Sequence, residues 1–231
     1  MTIWTVMAMM TRTFFRRLEL EPPPWLYAHM ARTPLFRRIY WRIVAEVAFG
    51  TPAGARLLDV GTGPGYLLRY LARERPDLKL YGLDFSFRMI AQGRRRLGDL
   101  QAGAALVGDS RALPVRTACL DRILATFSFH IWQDPIQAAK EMVRVLKPDG
   151  RAWIYEMNRE ASRRQLQAFA REECLPFLLV LLGFRSLAWN HALRAADFAT
   201  VFEQAGLSSW SLTPVHHLFW RVEILKEPAP V

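Results

Sequence analysis

The residues best suited to chemistry in this 231-residue chain lie in one stretch, Leu57-Leu58-Asp59-Val60-Gly61-Thr62-Gly63-Pro64-Gly65. An apolar run leads into three alternating glycines, which let the backbone take positive φ and let a ligand come close to it. Pro64 suits the first position of a following helix. The turn is not a dinucleotide fingerprint, because G-x-G-x-x-G needs a third glycine where this chain has Tyr66. A P-loop fails as well, since no Gly-Lys-Ser/Thr follows. Asp59 places a carboxylate beside the turn, where it repels a pyrophosphate and attracts a cation. About twenty residues further on, Asp84 stands where an acid accepts hydrogen bonds from both ribose hydroxyls. Gly108-Asp109-Ser110 adds a third acceptor, able to read an exocyclic amino group. Each acid alone is explained as the cap of the next helix. Together, at three successive strand ends, they describe a site for a cationic ligand with an unphosphorylated ribose.

Alternating apolar runs and helical patterns must position these residues. Strands are expected over 56–60, 78–83, 104–107, 120–127 and 151–156, and helices over 66–74, 86–97 and 136–146, with a turn at Lys147-Pro148-Asp149-Gly150. Strands alternating with helices imply parallel βαβ units in an open sheet covered on both faces. Residues 1–50 depart from this alternation: Pro22-Pro23-Pro24 breaks the chain and 35–49 reads as one amphipathic helix, an N-terminal helical cap. Residues 51–231 form the α/β domain. Within it, 160–195 is an apolar helical lid, and 215–225 reads as one or two closing strands around His216-His217.

Apolar residues make up 52% and charged residues 23% of the chain, the balance of a folded protein. Cys119 and Cys174 stand alone, so neither a disulfide framework nor a metal site is expected, and a reducing, cytoplasmic home fits. The start carries its charge after its apolar stretch, the reverse of a secretory signal, and is expected to be retained; Met7, Met9 and Met10 are alternative starts. Lysine occupies only positions 79, 140, 147 and 226, so arginine dominates a net charge of +10. Such a balance suits an acidic partner or a solvated surface. The runs Arg94-Arg95-Arg96 and Arg163-Arg164 fall on predicted helices, where solvated charge is ordinary.

Four ordered segments carry a family resemblance: Leu-Asp-Val-Gly-Thr-Gly-Pro-Gly at 58–65, Gly-Leu-Asp-Phe-Ser-Phe-Arg-Met at 82–89, Gly-Asp-Ser-Arg-Ala-Leu-Pro-Val at 108–115 and Met-Val-Arg-Val-Leu-Lys-Pro-Asp-Gly at 142–150. They resemble the class I S-adenosylmethionine (SAM)-dependent methyltransferases, closest to the group of ubiquinone and menaquinone C-methyltransferases (methyltransferase type 11). The resemblance spans about residues 55–157. It implies a Rossmann-like, doubly wound, mostly parallel seven-stranded sheet of order 3-2-1-4-5-7-6 with strand 7 antiparallel. It further implies that Gly61, Thr62, Gly63 and Gly65 line the methionine part of SAM with Asp59 near it. Asp84 would hold the ribose, Phe85 and Met89 would pack at the adenine, Asp109 and Ser110 would face its edge, and Phe127 would lie under the cofactor. SAM, an ammonium and a sulfonium without phosphate, matches the charge read from the turn.

The acceptor is less clearly written. After strand four the quinone enzymes carry a Gly-Leu-Arg-Asn type segment, where this chain has Phe127-Ser128-Phe129-His130-Ile131-Trp132. His130 is the first candidate for a general base, with the ordinary histidine range near neutrality; substrate orientation or a turn-filling role are its alternatives. Tyr27, placed second as catalytic, Glu156 and His191 are weaker candidates, for each of which a structural role is the preferred reading. No Asn/Asp-Pro-Pro-Tyr segment follows strand four and neither cysteine follows a proline, which argues against nucleobase methylation. The run from Leu175 to Phe184 is too short for the roughly twenty residues of a membrane span. It suits a greasy lid over an apolar small-molecule acceptor, methylated at carbon or oxygen, or plain core packing. An RNA methyltransferase and a non-catalytic SAM-binding partner subunit are the alternatives. The charge and the apolar run also admit a peripheral membrane contact or an oligomer.

Overall fold

The computed structural model describes His29, residues 31–97 and residues 103–227. Tyr27 and the proline run lie outside the described residues. Helix α1 (Pro34–Phe49) opens the fold with proline in its first turn, and the Thr33 hydroxyl accepts from Phe36 N at 3.4 Å. There follow β1 (Arg56–Val60), α2 (Tyr66–Glu74), β2 (Lys79–Asp84), α3 (Phe87–Leu97), β3 (Gly103–Val107) and β4 (Leu120–Thr126). A 3₁₀ turn at Phe129–Ile131 leads to α4 (Pro135–Val145), β5 (Leu146–Met157), α5 (Arg163–Glu172) and α6 (Phe177–His191). Helix α7 (Ala195–Gln204) and the strands β6 (Trp210–Val215) and β7 (Phe219–Leu225) complete the order.

The seven strands form one sheet of order β3-β2-β1-β4-β5-β7-β6, with β7 antiparallel to both of its neighbours. This is the expected Rossmann-like α/β arrangement. Successive residues of a strand face opposite sides, and the two cores follow that rule. Leu57, Leu124, Trp153 and Tyr155 join one core with Ile43 and Val47 of α1, Leu68 of α2 and Phe169 of α5. Leu58, Ile123, Ala125 and Ile154 join the other with Met142 of α4 and Phe198 and Phe202 of α7. The helix expected over 35–49 is thus a layer on the sheet's face.

Two local expectations are corrected. Lys147–Gly150 is not a free turn but the first, irregular part of β5: Asp149, at φ 61°, donates its amide to Lys226 O, and Lys226 N donates to Gly150 O, both at 3.0 Å. Partners on the chain after β7, invisible locally, keep this polar Pro-Asp-Gly segment in the ladder. The closing element is a full hairpin that begins earlier, at Trp210, with His216 and His217 both at positive φ in its loop. No helix among the described residues is long and apolar enough to cross a membrane.

Candidate active site

Strand β1 delivers its chain into the glycine turn at the carboxyl edge of the sheet, where an open α/β sheet places its ligand crevice. Gly61, Gly63 and Gly65 lie at φ 77°, 55° and 77°. The amides of Gly61 and Thr62 donate to Leu83 O at 2.7 and 3.0 Å, tying the turn to β2. Their roles differ. A Cβ on Gly61 would come within 2.5 Å of the Ser128 side chain, whereas one on Gly63 would meet nothing within 4 Å. Gly61 is therefore required by packing, and Gly63 leaves space beside the turn.

Asp59 is 2% exposed and its Oδ1 has no hydrogen-bond partner among the described residues. Burial pushes its carboxyl up to about 7; the neighbouring Thr62 hydroxyl pulls the other way and the charge of Asp84 adds to the rise. A buried, unsatisfied carboxylate beside an open turn is a costly arrangement without a cation to meet it. Asp84 ends β2 and accepts from Gly63 N at 2.8 Å and from Ser86 N at 2.9 Å, so it shapes the turn. Phe85 is 66% exposed, while Met89 is buried in the first turn of α3. Asp109 is committed differently from the expectation: the Arg111 guanidinium grips both of its oxygens, at 2.6 to 3.1 Å, and holds its carboxyl below the usual range. Ser110 lies between these two, partly buried.

At the end of β4, Phe127 sits at φ 54° with its ring 5.3 Å from that of Phe219. Next to it, the buried Ser128 donates its hydroxyl to Val60 O at 3.0 Å, which locks the strand-four edge against the glycine turn. His130 follows in the 3₁₀ turn. Its Nδ1 lies 3.0 Å from Oε2 of Glu156, a wholly buried carboxylate on β5 whose Oε1 accepts from His130 N at 3.3 Å. A proton on Nδ1 would be donated to this carboxylate.

Comparison with known proteins settles the family. The methyltransferase-domain family matches residues 58–154. YdaC of Bacillus subtilis, an uncharacterized methyltransferase, is 30% identical over 131 residues, covering 55% of this chain and 71% of YdaC. The chain belongs to the class I SAM-dependent methyltransferases. The ubiquinone/menaquinone biosynthesis C-methyltransferase UbiE of Geobacter sulfurreducens is 35% identical over 145 residues, but this methyltransferase spans only 55% of UbiE's length and 61% of its own. A SAM-dependent methyltransferase structure from Aquifex aeolicus superposes with a TM-score of 0.67 at 20% identity, covering 89% of this chain and all of that one, which shows the shared fold.

The methyltransferase's residues fit its cofactor: the partnerless Asp59 oxygen suits an ammonium group, and the open side of Gly63 permits close approach. The structure brings Asp59, the glycine turn and Asp84 together, and joins them to Ser128 and His130 through the β1–β4 contact. It does not bring Asp109 into that cluster unencumbered, and the side chain of His191 lies outside the described residues, as does Tyr27. Sequence reasoning undervalued Glu156, ranked as structural. The signal was present: a lone carboxylate in the apolar run Ala152-Trp153-Ile154-Tyr155 must have a partner if that strand is buried.

Proposed function

We propose that this methyltransferase transfers a methyl group to carbon or oxygen of an apolar small molecule, with His130 as the base that accepts the acceptor's proton. The observation that carries the reading is the His130–Glu156 pair at 3.0 Å, set at the strand-four edge beside the glycine turn. SAM supplies an electrophilic methyl group on sulfur. Asp59 meets its ammonium, Asp84 its ribose hydroxyls and the exposed Phe85 its adenine; Gly61, Thr62, Gly63 and Gly65 flank its methionine part, with Met89, Ser110 and Phe127 completing the walls. Asp109 reaches the adenine edge once Arg111 turns aside.

In-line displacement depends chiefly on holding the acceptor atom close and aligned. The acceptor's electron pair forms the new bond to carbon while the carbon–sulfur electrons stay on sulfur. The acceptor's proton passes to His130 Nε2, and the buried Glu156 fixes the ring's tautomer and stabilises the imidazolium. Relatives whose names specify carbon methylation of quinones support an apolar acceptor, although the chain spans about half the length of those relatives.

Incubating the protein with methyl-labelled SAM and separate lipid-extract, water-soluble metabolite and RNA pools tests the reading. Label in an apolar small molecule, abolished in His130→Ala, is the expected result. Label in RNA, or SAM binding without transfer to any pool, overturns it in favour of an RNA methyltransferase or a non-catalytic subunit.

A further inference from the structure

Beyond the end of β5, the chain forms a half-open cavity of about 650 Å³, the size of a small-molecule site. Four arginines line it, Arg159, Arg163, Arg185 and Arg194, together with an apolar wall that includes Leu181 and Phe184. Among the described residues no carboxylate lines it. Gathering four cations around one cavity is unfavourable unless an anion answers them.

The carboxylates nearest in sequence are engaged elsewhere. Glu160 accepts from Ala195 N at 3.0 Å and Asp197 from Arg194 N at 2.7 Å, both at the start of α7. Among the described residues, Arg163, Arg185 and Arg194 form no ion pair, whereas Arg38, Arg42, Arg75, Arg111, Arg144, Arg151 and Arg221 each do. Arg163, Arg185 and Arg194 thus stand at one cavity with no counter-ion among the described residues.

The cavity shares the carboxyl edge of the sheet with the candidate active site. Arg159 is three residues beyond Glu156, so their Cα atoms are at most about 10 Å apart. Helix α6, which contributes Leu181, Phe184 and Arg185, also presents Leu178, Leu179 and Leu182 to solvent at 64%, 60% and 58% exposure. One arginine of the cationic anchor, Arg185, therefore shares a helix with this apolar surface, while Arg159, Arg163 and Arg194 come from the neighbouring segments.

We infer that this cavity anchors the carboxylate or phosphate headgroup of an amphiphilic acceptor, whose apolar body runs along α6. Guanidinium forks bind such oxyanions in bidentate fashion. The inference rests on the methyl-transfer reading and narrows its acceptor from apolar to anionic and amphiphilic.

The test is calorimetric titration of the whole protein with dodecyl phosphate below its micellar concentration, beside dodecanol and dodecyltrimethylammonium as chain-matched controls. Dodecyl phosphate is expected to bind about tenfold or more tightly than either control. The exposed pair R185Q/R194Q should lose about tenfold in that affinity while SAM affinity and the melting temperature stay unchanged. Equal binding of the three amphiphiles overturns the inference, and so does undiminished binding by the double variant. Anionic vesicles of phosphatidylglycerol form the second arm; capture by vesicles without binding of monomeric dodecyl phosphate marks a membrane surface and also overturns it. Absence of SAM binding in the parent protein would sink the methyl-transfer reading alone and leave the cavity result standing.

Discussion

Asp59 joins an energetic penalty to the proposed role of meeting the cofactor's ammonium in one side chain. Its folded-state value near 7 exceeds the ordinary 3.8, so between those values the folded protein binds more protons than the unfolded chain. Stability is accordingly lost as pH rises from about 4 to 7, by at most roughly 4 kcal/mol, and stays at that lower level above pH 7. Asp59→Asn should raise the melting temperature of the ligand-free protein at pH 8 and flatten its dependence across that window. The same variant should weaken SAM binding, because the ammonium loses its counter-charge. Melts that fall as steeply from pH 4 to 7 in the variant as in the parent would refute the assignment. His130 and Glu156 make the second prediction at this scale. His130→Ala should lower kcat by about 10² to 10⁴ with little change in SAM affinity, the range for removal of a general base. Glu156→Gln should lower kcat as well, because an amide can bond Nδ1 in either tautomer. An unchanged kcat in both variants, measured with the true acceptor, would remove the base from the mechanism.

The glycine turn and helix α6 are the elements whose behaviour separates packing from function. Gly61→Ala places a methyl within 2.5 Å of Ser128 at a φ of 77°, so it should destabilise by about 1 to 3 kcal/mol from overpacking, with left-handed strain added. Gly63→Ala meets no neighbour, and its fold cost is the strain alone; its larger effect should be on SAM affinity. Denaturant melts beside SAM titrations distinguish the two, and equal losses of stability would contradict the division of roles. On α6, Leu178 and Leu182 are exposed, so replacing both with serine should leave the melting temperature nearly unchanged and raise KM for the acceptor. A loss of roughly 2 to 5 kcal/mol per leucine would instead mark buried core. Legibility in the sequence follows the same physics. Strands β1, β4 and the later part of β5 were readable because both-sided burial writes itself as apolar runs, and β2 and β3 because they alternate with helical patterns. Strand β6 was missed in large part because Trp210-Ser211-Leu212-Thr213-Pro214 is an edge strand, half solvated and ended by a proline. The hairpin loop was obscure because two histidines take the positive φ that glycine or asparagine usually signals. The glycine turn after β1 and the place of Asp84 at the end of β2 were legible from type and spacing. The Arg111 grip on Asp109 and the four-arginine cavity were not, since both depend on which side chains the tertiary fold brings together.

At the scale of the whole molecule, one helix ties the parallel half of the sheet to its antiparallel edge. Glu46 of α1 accepts from the buried Tyr155 hydroxyl on β5 at 2.9 Å and from Arg221 on β7 at 3.1 Å, and it pairs with His216 of the hairpin loop at 2.9 Å. Farther along α1, Arg42 reaches Glu173, whose side chain is 1% exposed, at 2.6 Å, and His217 reaches Glu172 at 3.0 Å. These links hold both left-handed histidines of the loop, so α1, β5, α5 and the hairpin should unfold as a unit. Burial alone would raise the Glu46 carboxyl, but hydrogen bonds from His216, Tyr155 and Arg221 and the charge of His216 outweigh it and bring it to about 2 from 4.5. A depressed carboxyl contributes stability that is fully present above about 4.5 and lost as pH falls towards 2. The shift corresponds to roughly 3 kcal/mol at most, and solvent around the 26% exposed side chain reduces it to about 1 to 2. Glu46→Gln should therefore lower the melting temperature at pH 6 by several degrees, while the parent and variant curves converge as pH falls through 4 towards 2. Thermal melts at half-unit pH steps decide the matter. A constant gap across the acid range would mean that Glu46 acts through packing, and the absence of any gap at pH 6 would mean that the hydrophobic face of α1, with Ile39, Ile43, Val44 and Val47, holds the helix to the sheet without it.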